Sequence, residues 1–163
     1  MANIAGRDVN NNDLGVMGGG VLMLLASFFN WYGYSAGGFS AGISGWSAGF
    51  TAWFSILICL IVAGAVAARV FGGQSLPSAG PVGPALLGAA ISALAVLLII
   101  IRWATLPHGS GAGFGVSFHY GARFGLFLGL IAAIVQAAFG FLGFKGSGEK
   151  MPEFGSGGSG PSA

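Results

Sequence analysis

Long apolar runs broken by short polar or glycine-rich links set the pattern of this chain. No Asp, Glu, Lys or Arg occurs from Leu14 to Ala68, from Val70 to Ile101, or from Phe124 to Phe144. A bilayer core of about 30 Å takes roughly 20 helical residues. Segments of that length lie at about 14–34, 48–71, 84–104 and 119–144. Pro84 suits the first turn of the third, where its missing N–H is not needed. The runs are too long, and too continuous, for the alternating strands of a β-barrel. The pattern therefore predicts an all-α membrane protein, a four-transmembrane-helix bundle over residues 14–144. A polar cytoplasmic lead over 1–13 and a flexible Gly/Ser-rich cytoplasmic tail over 145–163 complete the expected organisation.

Composition strengthens the membrane assignment. Of 163 residues only 6% are charged, against roughly 25% in a soluble domain, and the mean hydropathy is +0.84. The start, "MANIAGRDVNNNDLG", is polar and mixes acids with Asn. A secretory signal would instead pass from a basic region straight into a short apolar core.

An even number of spans puts both ends on one side. Arg7, Arg69, Lys145 and Lys150 then face Arg102 and Arg123 across the bilayer. The excess of basic residues on cytoplasmic segments favours cytoplasmic termini in a plasma membrane. Trp31, Tyr32, Tyr34, Trp46, Trp103 and Tyr120 all fall at the opposite face, where amphipathic rings suit the headgroup level.

In "GARFGLFLGLIAAIVQA", Gly121, Gly125, Gly129, Ala133 and Ala137 recur every four residues. Apolar side chains gain nothing by leaving lipid, so membrane helices associate by close contact, and small residues four apart let backbones approach. The row predicts a helix-packing seam, with Gln136 as an amide that bonds across helices. Packing within the chain and packing against a second copy both satisfy it. Trp31 and Trp103 each close a span ahead of a Gly-rich loop, and Trp46 and Tyr120 open the returns. That common plan suggests two duplicated helical hairpins related by an axis along the membrane normal.

At this point the residues "NWYG" (30–33), "SGWSAGFTAW" (44–53) and "YGARFGLFLGLIAAIVQ" (120–136) carry a resemblance to uncharacterised small four-span integral membrane proteins of high-GC actinobacteria. The resemblance implies a plasma-membrane helical protein and implies no chemistry.

Candidate chemistry is sparse. Cys59 is the one cysteine, so neither an intramolecular disulfide nor a cysteine metal site is available. No ionisable group sits at mid-span, where proton and ion paths usually carry one. The carboxylate on which small four-span multidrug transporters depend is absent. Six dispersed basic residues make no nucleic-acid patch. The acids and the histidines fall on opposite sides, so no His–carboxylate pair forms, and no metal or cofactor is expected. One polar set converges at the outer face: Arg102, Arg123, His108 and His119, with Trp31, Trp103 and Tyr120 at similar depth. Two arginines walled by aromatics suit an anionic headgroup or a partner, and arginines that merely snorkel from helix ends give the same pattern.

The sequence thus points to a non-enzymatic membrane scaffold or accessory subunit, packing against itself or a larger membrane complex. An oligomeric channel or small transporter, and outer-leaflet anionic lipid binding, are the alternatives. Membrane lipid and a membrane-protein partner or second copy are the expected partners.

Overall fold

A computed structural model describes residues 2–4 and 6–152; the expected tail from residue 153 onward lies outside them. The chain opens with two short strands, β1 (Ala2–Ile4) and β2 (Arg7–Val9), paired antiparallel. Helix α1 (Asn11–Phe28) leads to strands β3 (Asn30–Ala36) and β4 (Phe39–Ser44), and helix α2 (Phe50–Gly72) follows. Helix α3 (Pro84–Thr105) leads in the same way to β5 (Gly109–Gly113) and β6 (Val116–Ala122), and α4 (Phe124–Ser147) closes the described fold.

The all-α expectation is therefore wrong. Both Gly-rich loops after Trp31 and Trp103 are β-hairpins, and they join into one antiparallel sheet of order β4-β3-β6-β5. Residues 30–34 and 119–122, counted as membrane helix, are strand. The physical reason lies in "NWYGYSA" and "VSFHYGA", where aromatic residues favour the extended, half-buried surface of a strand. The β3–β4 turn, Gly37–Gly38, has positive φ at both positions, the geometry of a two-residue hairpin matched to strand twist.

The four-span count also falls. Helices α2, α3 and α4 are long and apolar enough to cross a membrane. Helix α1 is not among them: Asn11, Asn12, Asp13 and four glycines dilute its 18 residues.

Each helix packs on two neighbours in the cyclic order α1–α2–α3–α4. Glycine sets the closeness. The ring of Phe139 lies directly on Gly15, and a Cβ on Gly19 would stand 2.8 Å from the Cβ of Gln136. Across the diagonal, the Gln136 amide Nε2 donates to the Cys59 carbonyl at 2.9 Å.

The duplication is not carried into the sheet. A two-fold exchanging the halves would move β3 onto β5 and β4 onto β6, so the central β3·β6 pair would require a β5·β4 pair. The observed order places those two strands at opposite edges.

Candidate functional site

The sheet stands at the end where α1 and α3 finish and α2 and α4 begin. Its register sorts residues by chemistry, because opposed residues in antiparallel strands share a face. Tyr32 pairs with Ala122 and Ile43, Tyr34 with Tyr120 and Ala41, and Ala36 with Phe118 and Phe39. Those residues make one apolar, aromatic face. Gly33 pairs with Gly121 and Gly42, and Ser35 with His119 and Ser40, giving a reverse face of small and polar groups.

The aromatic face is open. Phe39 is 84% exposed, Tyr34 50% and Tyr120 46%. At the distal tip Phe114 is fully exposed and holds a φ of 52°, a conformation that is a genuine outlier for a bulky residue. Tyr32 and Ala122, at the base, pack against the helical core.

Trp31 does not belong to an interfacial belt. It is fully buried, and its indole Nε1 donates to the Ala26 carbonyl at 2.9 Å. Its ring lies over Gly129 and Gly45: an added Cβ would come within 2.6 Å of Cζ2 at the first and 2.8 Å of Cε2 at the second. Trp31 thus fastens β3 to α4 from within. Its carbonyl also accepts from the Arg123 amide at 2.9 Å, which fixes the turn from β6 into α4.

The small-residue row is consumed inside the chain. A Cβ on Gly125 would stand 2.8 Å from the Asn30 carbonyl oxygen, Gly129 receives Trp31, and Ala133 and Gln136 are fully buried. Ala137 is half-buried. Gly121 departs from the helical seam, since it is a strand residue with nothing within 4 Å of an added Cβ.

The polar set divides. Arg123 lies against Gly33 and, with Ser35 and the β6 residues His119, Tyr120, Gly121 and Ala122, lines an open hollow of about 330 Å³ along β3 and β6. Neither Arg102 nor Trp103 lines it. The Arg102 guanidinium instead sits at the N-terminus of α2, its Cζ 3.1 Å from an added Cβ on Gly49. The Arg102 Nε is buried without a hydrogen-bond partner among the described residues. Trp103 packs edge-on against Phe127 with ring centroids 6.0 Å apart. Tyr120 shares the register of the aromatic face but lines the same hollow as Arg123, and His108 precedes β5.

The opposite end of the helices holds features that the sequence reading passed over. Asp13 of α1 pairs with Arg69 of α2. Glu149, in the stretch expected to be tail, accepts from the α3 amides of Ala85 at 3.3 Å and Leu86 at 3.2 Å. A carboxylate suits the positive end of a helix dipole. Among the described residues no group of three or more His, Cys, Asp or Glu gathers where a metal would sit. No protein-family description, curated protein or solved structure matches the chain.

Proposed function

We propose that this chain is a non-enzymatic accessory subunit of a membrane complex, and that the aromatic face of its sheet is the surface by which it holds a partner protein. In this reading α2, α3 and α4 cross the plasma membrane by their own hydropathy, and α1, packed between α2 and α4 with its two ends on opposite sides, passes through with them. The sheet lies outside, and the end bearing Arg7, Arg69 and Lys145 is cytoplasmic by the excess of basic residues. The resemblance to small actinobacterial membrane proteins fits this reading.

The observation that carries it is the open face of Tyr34, Phe39 and Tyr120, with the strained, fully exposed Phe114 at the β5–β6 turn beyond it. A soluble surface rarely leaves so contiguous an apolar patch without a partner, and backbone strain of this kind clusters at recognition sites. Helix seams are the weaker candidate, because the small-residue row already packs within the chain. A path through one chain is opposed by the fully buried Trp31, Met23, Ile56 and Leu126, which close the core at the sheet end.

The test is native mass spectrometry after gentle extraction, comparing the wild type with the triple variant Phe39→Ser, Phe114→Gly, Tyr120→Ser. The expected result is a discrete complex that the variant loses while its melting temperature holds. A bare monomer, or a complex indifferent to the variant, would overturn the proposal.

A second reading, anionic headgroup binding, is favoured by Arg102 alone. Its partnerless Nε lies beside the start of α2, whose cap residue Gly49 offers no side-chain bond. An anion there would meet both the guanidinium and the helix dipole. Loss of co-purifying anionic lipid in Arg102→Gln, but not in Arg123→Gln, supports it; equal loss in both counts against it.

A further inference from the structure

A cavity of about 220 Å³ lies among all four helices at the end opposite the sheet. Its walls change character with depth. At the mouth stand Asp13, Arg69 and Glu149; further in, the lining is Val62, Gly88, Ala89 and Gly140. A second hollow of about 90 Å³ lies beside it, lined by apolar residues of α2 and α3 such as Ile61, Ala65, Leu87 and Ile91. Val62, Val66, Leu76, Pro84 and Gly88 line both. The two hollows therefore adjoin, and together run from a charged mouth to an apolar groove between α2 and α3.

Such a shape matches an amphiphile. We infer that the joined hollows bind one ammonium-headed lipid, with an acyl chain in the α2–α3 groove and the ammonium at Asp13 and Glu149. The inference rests on the reading that α2 and α3 lie in a membrane, for only then does the groove face acyl chains. Charge selects the head. The mouth carries two carboxylates and one guanidinium, and the guanidinium already answers Asp13. Glu149, which already accepts from the α3 amides of Ala85 and Leu86, carries the one negative charge that no side-chain cation among the lining residues answers, and an ammonium offers three donors to share between carboxylates. A phospholipid brings a phosphate in either case; without an ammonium to offset it, the head would add net charge of the wrong sign to the mouth, next to Glu149.

Gly88 is the neck between the hollows. An added Cβ there meets only Val62 Cγ1, at 3.9 Å, an ordinary contact that leaves the space beyond it free. A larger side chain can fill the neck without displacing backbone, which separates ligand loss from misfolding.

The experiment reconstitutes the full chain in nanodiscs of equimolar phosphatidylethanolamine and phosphatidylglycerol, then counts retained lipids by native mass spectrometry. Wild type is expected to retain phosphatidylethanolamine over phosphatidylglycerol by about tenfold, the factor of one charge-assisted bond. Gly88→Leu should lose the adduct while its melting temperature is unchanged or raised. The pair Asp13→Asn with Glu149→Gln should erase the headgroup preference. Equal amounts of the two lipids in the fraction that Gly88→Leu removes, or full retention in a folded Gly88→Leu, overturns the site. Release of the protein from membranes by alkaline carbonate would instead overturn the membrane reading on which the site rests. Protein that resists carbonate but retains no lipid leaves that reading standing and removes the site alone.

Discussion

Replacing Gly129 by Ala tests whether Trp31 is the rivet between sheet and helices. The new Cβ would lie 2.6 Å from Trp31 Cζ2 and 3.1 Å from Cη2, well inside contact distance. The ring has little freedom to retreat, because Nε1 is bonded to the Ala26 carbonyl at 2.9 Å and Gly45 lies against the ring as well. Overpacking of this kind costs about 1–3 kcal/mol. Alanine also gains roughly 1 kcal/mol of helix propensity over glycine, so the single variant alone is an ambiguous probe. Gly64→Ala resolves it. Gly64 is inside α2 with nothing within 4 Å of an added Cβ, so it takes the propensity gain without the clash. The difference between the two variants isolates about 1–3 kcal/mol. At roughly 2–4 °C per kcal/mol for a chain of this size, thermal unfolding in detergent should separate them by about 2–12 °C, Gly129→Ala the lower. Repeating Gly129→Ala on a Trp31→Ala background should abolish the penalty, since the cycle removes the shared contact. Equal melting temperatures for the two glycine variants, or a penalty that survives loss of Trp31, would refute the reasoning.

Further outcomes follow from individual side chains. Gln136 spends one donor on the Cys59 carbonyl while its buried Oε1 has no partner among the described residues. A cross-helix bond in lipid averages about 0.6 kcal/mol and an unsatisfied buried acceptor costs about 1–3 kcal/mol, so Gln136→Leu should match or exceed wild-type stability in detergent unfolding. Gln136→Glu should lose about 3 kcal/mol or more. Phe114→Gly relieves a left-handed φ of 52° and should raise stability by about 1 kcal/mol, while weakening partner retention in native mass spectrometry. Trp46 Nε1 donates to Ser27 Oγ at 3.0 Å, so Trp46→Phe and Ser27→Ala should show a coupling of about 0.5–1.5 kcal/mol in a double-mutant cycle.

What could be read from the sequence depended on the length scale of the signal. Helices α2 and α3 fall within two residues of the segments expected from hydropathy, because long charge-free runs need no partner to declare themselves. The ends of the first and fourth segments did not, because a window sum cannot distinguish "NWYGYSA" as helix from the same residues as strand. The clue was period-2 alternation, Tyr32, Tyr34 and Ala36 against Gly33 and Ser35, repeated in Phe118, Tyr120 and Ala122. The joining of β3 to β6 pairs residues far apart in the chain, and no local pattern reveals such a partner. Depth along the membrane normal grouped Arg102 with Arg123, yet the fold places one against α2 and the other on the sheet. Trp31 was misplaced for a similar reason: an aromatic at the end of an apolar run reads as a belt residue unless the glycines that receive it, Gly45 and Gly129, are known to face it. Glu149 gave no signal at all, standing among glycines and serines in a stretch whose composition reads as flexible.

Photo-crosslinking in intact cells tests the central claim most directly, with a photoreactive side chain placed either at Tyr120 or at His119. These neighbours on β6 project to opposite faces of the sheet, Tyr120 with Tyr34 and His119 with Ser35. A discrete polypeptide crosslinked from position 120 and not from position 119 is the predicted result. Equal labelling from both positions, or crosslinks to lipid alone, would contradict the account.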